Sequence, residues 1–225
     1  MTLVLLAVAI APGLAIAIYI YWRDEHEKEP IGLLVKCFAL GALMVFPAIF
    51  IEGFAIYLFD FDNSLPQAFL KAFLCIGLTE EALKYLILTK YAYSKPAFNE
   101  PFDGIVYSVI IGLGFATMEN IFYVYEYGAK VGFIRMFTAV PMHAAFGVLM
   151  GYYVGLAKFQ TSSLRVNSKI KGLCFAILFH GAYDFFLIQD DVPFLVLLNV
   201  VVIFYAIRLS RKAIQAHLNV SPFKK

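Results

Sequence analysis

The chain has 225 residues, of which 62% are hydrophobic and 15% charged, with a mean hydropathy of +0.79. Soluble domains carry about 25% charged residues, so this balance excludes an ordinary water-soluble globule and predicts an all-α, polytopic membrane protein. A formal net charge of only +2, with no long Lys/Arg run outside the loops and the tail, argues against a nucleic-acid partner.

The run from Thr2 to Tyr21 lacks a basic stretch ahead of its apolar core. That core is about 20 residues, long enough to span, so it is expected to be a retained first helix and not a cleaved leader. Charged or turn-rich breaks then mark out seven spans, roughly 2–22, 31–59, 68–89, 103–125, 133–157, 170–188 and 192–209. The second is longer than a bilayer needs and holds Pro47 and Glu52, which predicts a kinked, tilted or broken helix. The breaks are RDEHEKEP (23–30), FDNSLPQ (61–67), SKPAFNEP (94–101), FQTSSLRVNSK (159–169) and the short acidic turn QDDVP (189–193). No repeat or soluble domain is visible, so residues 1–225 read as one membrane domain. Residues 210–225 read as a basic cytoplasmic tail that anchors orientation near anionic lipid. Cys37, Cys75 and Cys174 each fall in an apolar run and read as buried core residues.

Placing the N-terminus outside puts thirteen Lys/Arg in the inner loops and tail, against only Lys130 and Arg135 outside. The positive-inside rule therefore predicts an N-out, C-in topology.

Against this apolar background, LTEEALKYL (78–86) places Glu80, Glu81 and Lys84 inside a span. Three unpartnered ionisable groups would cost about 7–10 kcal/mol on insertion scales. Lys84 follows Glu80 by four residues and Glu81 by three, so it can reach either carboxylate on one helix face. One glutamate is thereby neutralised, and the other requires a proton, a hydrogen-bond network or a catalytic task. Three other spans supply candidates for that network: Glu119 and Asn120 in GFATMENIF, His143 in PMHAAFG, and His180 with Asp184 in FHGAYDF. At 1.5 Å per residue from the inner boundaries, Glu80, Glu81 and His180 lie at about 14–15 Å, Asp184 at about 20, His143 at about 22 and Glu119 at about 24. All six then fall in the middle or outer half of a core about 30 Å thick. Phe115, one turn before Glu119, is expected to shape the chamber, and Glu52 and Glu126 are expected to serve at the surface or in packing.

Two carboxylates and two imidazoles in a dry cavity suit hydrolysis of an amide bond. A glutamate takes a proton from water and returns it to the leaving amine, while imidazole or amide groups donate to the oxyanion. Glu80 or Glu81 fills the first role, and Asp184 orients His180. Zinc held by His143, His180 and a glutamate is the alternative, but no HExxH pair is present, so the expectation is a site without metal. A proton- or ion-coupled transporter with a buried Glu/His relay is the rival reading.

EEALK (80–84), FATMEN (115–120) and HGAYD (180–184) fit EExxK, FxxxEN and HxxxD patterns, in order and each inside an apolar span. With PFDGIVYS (101–108), His143 and the first loop WRDEHEKEP, the chain resembles the PrsW family, within the wider CAAX-type and bacteriocin-processing intramembrane endopeptidases. The resemblance implies glutamate-dependent peptide hydrolysis in the bacterial cytoplasmic membrane. It carries catalytic positions to Glu80, Glu81, Glu119, His143 and His180, with Lys84, Asn120, Asp184 and Phe115 in support. The substrate it implies is a membrane-anchored anti-sigma factor, cut at site 1 to begin release of an extracytoplasmic-function sigma factor.

Overall fold

The structure is a computed structural model and describes residues 3–62, 64–189 and 193–224. Among the described residues there are helices and no strands. In chain order they are α1 (Leu3–Arg23), α2 (Ile31–Leu43), α3 (Val45–Phe59), α4 (Leu65–Leu70), a π-helical segment (Lys71–Gly77), α5 (Leu78–Lys90), α6 (Pro101–Tyr127), α7 (Ala129–Phe137), α8 (Ala139–Lys158), α9 (Ser162–Ile188) and α10 (Pro193–Asn219).

Among the described residues, six stretches are long and apolar enough to cross a membrane: Leu3–Arg23, Ile31–Phe59, Pro101–Tyr127, Ala129–Lys158, Ser162–Ile188 and Phe194–Asn219. The stretch expected at 68–89 is also helical, running without a gap through α4, the π-helical segment and α5. Its embedded charges, not its length, keep it out of the six. The acidic turn expected at 189–193 lies outside the described residues at positions 190–192.

Two of the spans are broken, and each break has the same cause. The long second span divides at Met44, three residues before Pro47, and the fifth divides at Thr138, three residues before Pro141. A proline has no N–H for the carbonyl four residues back, so Leu43 and Phe137 lose their helical donors and the chain turns there.

α6 and α8 form the centre and are buried over most of their length, while α1, α3 and α10 present large apolar side chains outward. Lipid tails are as apolar as leucine, so helices associate in a membrane through close packing. Here the backbones of α6 and α8 nearly touch: a Cβ on Gly151 would lie 2.3 Å from the Gly104 carbonyl oxygen. A second close approach joins the π-helical segment to α9, where a Cβ on Gly77 would lie 3.2 Å from the Gly181 nitrogen. Between them, these contacts bring α5, α6, α8 and α9 together. Cys37 and Cys75 are buried as expected, but Cys174 is exposed, because its face of α9 points out of the bundle.

At the opposite end from Tyr127, the first interhelical loop folds onto the start of α6. Asp103 accepts the backbone N–H groups of Asn99 and Glu100 at 2.7 and 2.8 Å, which caps α6 behind Pro101. Asp24 and Glu29 are buried against this cap, and Tyr107 donates a hydrogen bond to Glu29. Burial, followed by the nearby Asp103 carboxyl, pushes Asp24 up to about 7 and Glu29 up to about 9.

This packing has two measurable consequences. Gly151→Ala forces backbone apart at the α6–α8 contact and is expected to cost about 1–3 kcal/mol, seen as a lower unfolding temperature in detergent. For Asp24, a folded pKa above the unfolded value means that its contribution is full below 3.8 and lost as pH rises through about 7. Thermal stability is therefore expected to fall between about pH 4 and about pH 7, and Asp24→Asn to flatten that fall.

Candidate active site

Helix α5 supplies three charged side chains and begins directly after the π-helical segment. Wide turns of this kind rotate the downstream helix relative to a plain α-helical path, and they recur at functional sites. Glu80, Glu81 and Lys84 all turn into the bundle, each 4% exposed or less. Lys84 Nζ donates to Glu80 Oε2 at 3.0 Å, to Glu81 Oε1 at 2.8 Å and to His143 Nδ1 at 3.0 Å. An ammonium has three donors, and all three are used. Lys84 thus holds both glutamates and a histidine from α8, where the spacing alone suggested one partner. Phe115 of α6 lies beneath it, with Nζ 4.2 Å from the ring centroid.

Because His143 Nδ1 accepts from Lys84, the ring proton belongs on Nε2, which faces Glu119 Oε2 at 3.1 Å. On α9, His180 repeats the pattern. Its Nδ1 meets Glu81 Oε1 at 2.8 Å and its Nε2 meets Asp184 Oδ2 at 3.3 Å, with Phe146 stacked on the ring at 4.8 Å. The two imidazoles lie edge to face with centroids 5.2 Å apart. Every candidate from α5, α6, α8 and α9 is therefore in one cluster.

Glu80 and Glu81 differ in surroundings. Glu81 is 1% exposed and bound on one oxygen by both Lys84 and His180. Glu80 has Lys84 at 3.0 Å, with His180 Nε2 at 3.9 Å, and borders two cavities of about 300 Å³ each. One cavity runs among His143, His180, Tyr183 and Asp184, and the other runs between α3 and α6. Glu81 lines neither.

Sequence reasoning missed two participants. Arg135, expected as an outer-loop residue, reaches in from α7. Its Nη2 bonds Glu119 Oε2 at 2.7 Å, its Nε bonds Asn120 Oδ1 at 3.1 Å, and its guanidinium stacks over Tyr123 at 3.8 Å. Asn120 in turn donates to the Ala9 carbonyl at 3.0 Å, tying α6 to α1. Nothing in the local sequence FIRMF distinguishes this arginine from an interfacial anchor. The second is Glu52, expected to serve at the surface or in packing; it lines both cavities beside Glu80. Its signal was available, since an acid within a span is a functional candidate by default.

Donor chemistry bears on a metal. Glu80, Glu81, His143 and His180 each offer one ligand atom, and these atoms all lie within 4.8 Å of one another. Two carboxylates and two imidazoles make a set suited to zinc. His180 turns Nδ1 toward Glu81 and His143 turns Nδ1 toward Lys84, while both turn Nε2 toward an outer carboxylate, Glu119 or Asp184, the usual support for a metal-binding histidine. The residues fit a metal.

A buried cluster of acids and imidazoles opening on polar cavities within a helical bundle defines an intramembrane hydrolase. Residues 29–209 match the family described as PrsW family intramembrane metalloprotease, and the chain belongs to that family. It is 37% identical over 215 residues to Protease PrsW of Bacillus subtilis (strain 168), covering 93% of this chain and 95% of the relative. Protease PrsW of Shouchella clausii (strain KSM-K16) is 36% identical over 214 residues, covering 92% and 97%. Protease PrsW of Clostridioides difficile (strain 630) is 33% identical over 217 residues, covering 94% and 91%. No solved structure matches the chain.

The protein is a multi-pass membrane peptidase, and the transporter reading loses its support. The expectation of a site without metal is overturned, because the family is one of metalloproteases and the chain holds a compact Glu/His donor set. The missing HExxH pair misled because these donors come from three helices, α5, α8 and α9, so no linear spacing encodes them.

Arg135→Ala leaves Glu119 without its guanidinium and is expected to cost about 1.5–3 kcal/mol, with Arg135→Lys recovering part of it. Thermal unfolding in detergent measures both. Equal losses in the two variants would mean that the charge pairing with Glu119 contributes nothing.

Proposed function

We propose that this chain is an endopeptidase that cuts a membrane-anchored anti-sigma factor at site 1, with Glu80 as the general base. The observation that carries the base assignment is the asymmetry of the pair. Glu80 faces both cavities, whereas Glu81 is closed off by Lys84 and His180. In this reading Glu80 takes a proton from a water in the cavity as the water oxygen attacks the peptide carbonyl carbon. It then passes that proton to the amide nitrogen as the C–N bond breaks, leaving a carboxyl and an amine terminus.

Glu81, His143 and His180 would hold the metal, with Glu80 left free to act as the base. The chemistry that such an ion supplies is Lewis-acid polarisation of a carbonyl and acidification of a water. Glu119 and Asp184 fix the two rings from outside, and Arg135 and Asn120 fix Glu119. Lys84 keeps the two glutamates from repelling each other. Phe115 and Phe146 wall the chamber against bulk water.

The substrate assignment rests on the family resemblance and on position in the bundle. Glu119 lies eight residues before the end of α6, His180 eight before the end of α9, and His143 four after the start of α8. At 1.5 Å per residue Glu119 and His180 are about 12 Å from helix ends that the predicted topology places outside, and His143 bonds to Glu119 at that level. A chamber in the outer half suits a cut in the extracytoplasmic part of a tethered substrate.

Purified protein in nanodiscs with a membrane-tethered anti-sigma factor tests the proposal. Glu80→Gln is expected to lower cleavage by about 100-fold or more while the protein stays folded. Glu81→Gln is expected to lose activity and stability together, because it leaves Lys84 buried with one fewer anion. A chelator is expected to abolish cleavage and zinc to restore it, with about one metal per chain by elemental analysis and less in His143→Ala. Cleavage at the normal rate by Glu80→Gln would exclude it as the base.

A further inference from the structure

The cavity between α3 and α6 has a composition that the hydrolytic reaction does not require. Its wall includes four carboxyl groups, Glu52, Glu80, Glu119 and Glu126, and no lysine, arginine or histidine. Around the chamber, the other acids have partners: Glu80 has Lys84, Glu81 has Lys84 and His180, Glu119 has Arg135 and His143, and Asp184 has His180. Glu52 forms no ion pair among the described residues, and its Oε1 is buried without a hydrogen-bond partner. It stands where the two cavities meet, on the walls of both.

The aromatic walls point the same way. Phe122 and Tyr123 line the cleft, and Tyr123 already carries the Arg135 guanidinium over its face at 3.8 Å. Glu80 and Glu119 on this wall already hold Lys84 and Arg135, so Glu52, with no cation of its own and Phe122 on the same wall, is the acid left to receive an ammonium or guanidinium. The cleft leads from Glu80 to Glu126 near the C-terminal end of α6, which the predicted topology places outside. Its α3 wall is lightly held: only Val45 and Ala48 of that helix are buried, and Phe46, Phe50 and Phe54 face outward. A peptide can therefore lie along the cleft with its reacting bond at Glu80.

We propose that this cleft is a substrate subsite for a lysine or arginine side chain on the extracytoplasmic side of the scissile bond, with Glu52 as the specificity-determining carboxylate. The proposal rests on the protease reading of the adjoining chamber. A substrate that brings the missing cation pairs Glu52 only when the chain is threaded outward along α6, so the same contact selects sequence and direction.

The test uses full-length protein in nanodiscs and a reporter with one transmembrane helix and an extended outer tail. A single Lys is scanned through the tail against Gln and Glu at the same position. At one position the Lys reporter is expected to exceed the Gln reporter in kcat/KM by about tenfold, the scale of one partly desolvated ion pair. Glu52→Gln is expected to bring the two reporters level, and Glu52→Lys to reverse the order so that the Glu reporter leads. A photo-crosslinker in the reporter tail, read with Glu80→Gln, measures the same preference in binding without needing cleavage. Failure of the protease reading would abolish cleavage and leave this binding preference intact. A Lys preference that survives Glu52→Gln in binding, or no Lys preference at any position, overturns the proposal.

Discussion

The ammonium of Lys84 is the point on which the centre of the bundle depends. Each ionisable group at mid-membrane costs about 2.5–3.5 kcal/mol if left alone, and this chain places three on one helix and adds Glu119, Asp184 and two imidazoles from others. Three donors on one nitrogen meet Glu80, Glu81 and His143, so the charges are satisfied as a unit. Removing one partner from such a buried set costs more than the set contributes, because the remaining charges stay buried without compensation. The cluster therefore defines which helices must be neighbours.

The helices meet that demand through two devices that leave room for backbone contact. Glycine against glycine lets α6 and α8 approach closely enough for Glu119 and His143 to bond, and Gly77 against Gly181 sets Glu81 beside His180. The π-helical segment before α5 lies next to the second of these contacts. Around the resulting core, Glu119 and Asp184 orient the rings, and Arg135 and Asn120 hold Glu119. The donors that a metal needs are consequently held in place by residues that would never touch it.

Most of the helical plan was readable along the chain. Apolar runs located the spans, and Pro47 signalled the broken second helix, although the break falls at Met44 because the lost hydrogen bond lies upstream of the proline. The members of the buried polar cluster, EExxK, Glu119, His143 and His180, were readable because charge inside lipid is costly and therefore conspicuous. Arg135 was not, since an arginine near a span end looks the same whether it anchors to headgroups or folds inward. Metal capacity was legible only as an alternative, set aside because donors on three helices leave no linear spacing to recognise.

By itself the sequence determined that the chain is a helical membrane protein, where its helices lie, and which polar side chains the lipid would force together. All three result from the cost of burying charge and backbone in hydrocarbon, which acts residue by residue. Only the tertiary structure decided that Lys84 serves both glutamates, that Glu80 faces the cavities while Glu81 is enclosed, and that Glu52 joins the chamber wall. These are relations between helices, set by how closely backbones pack, and a one-dimensional pattern carries no distance between them.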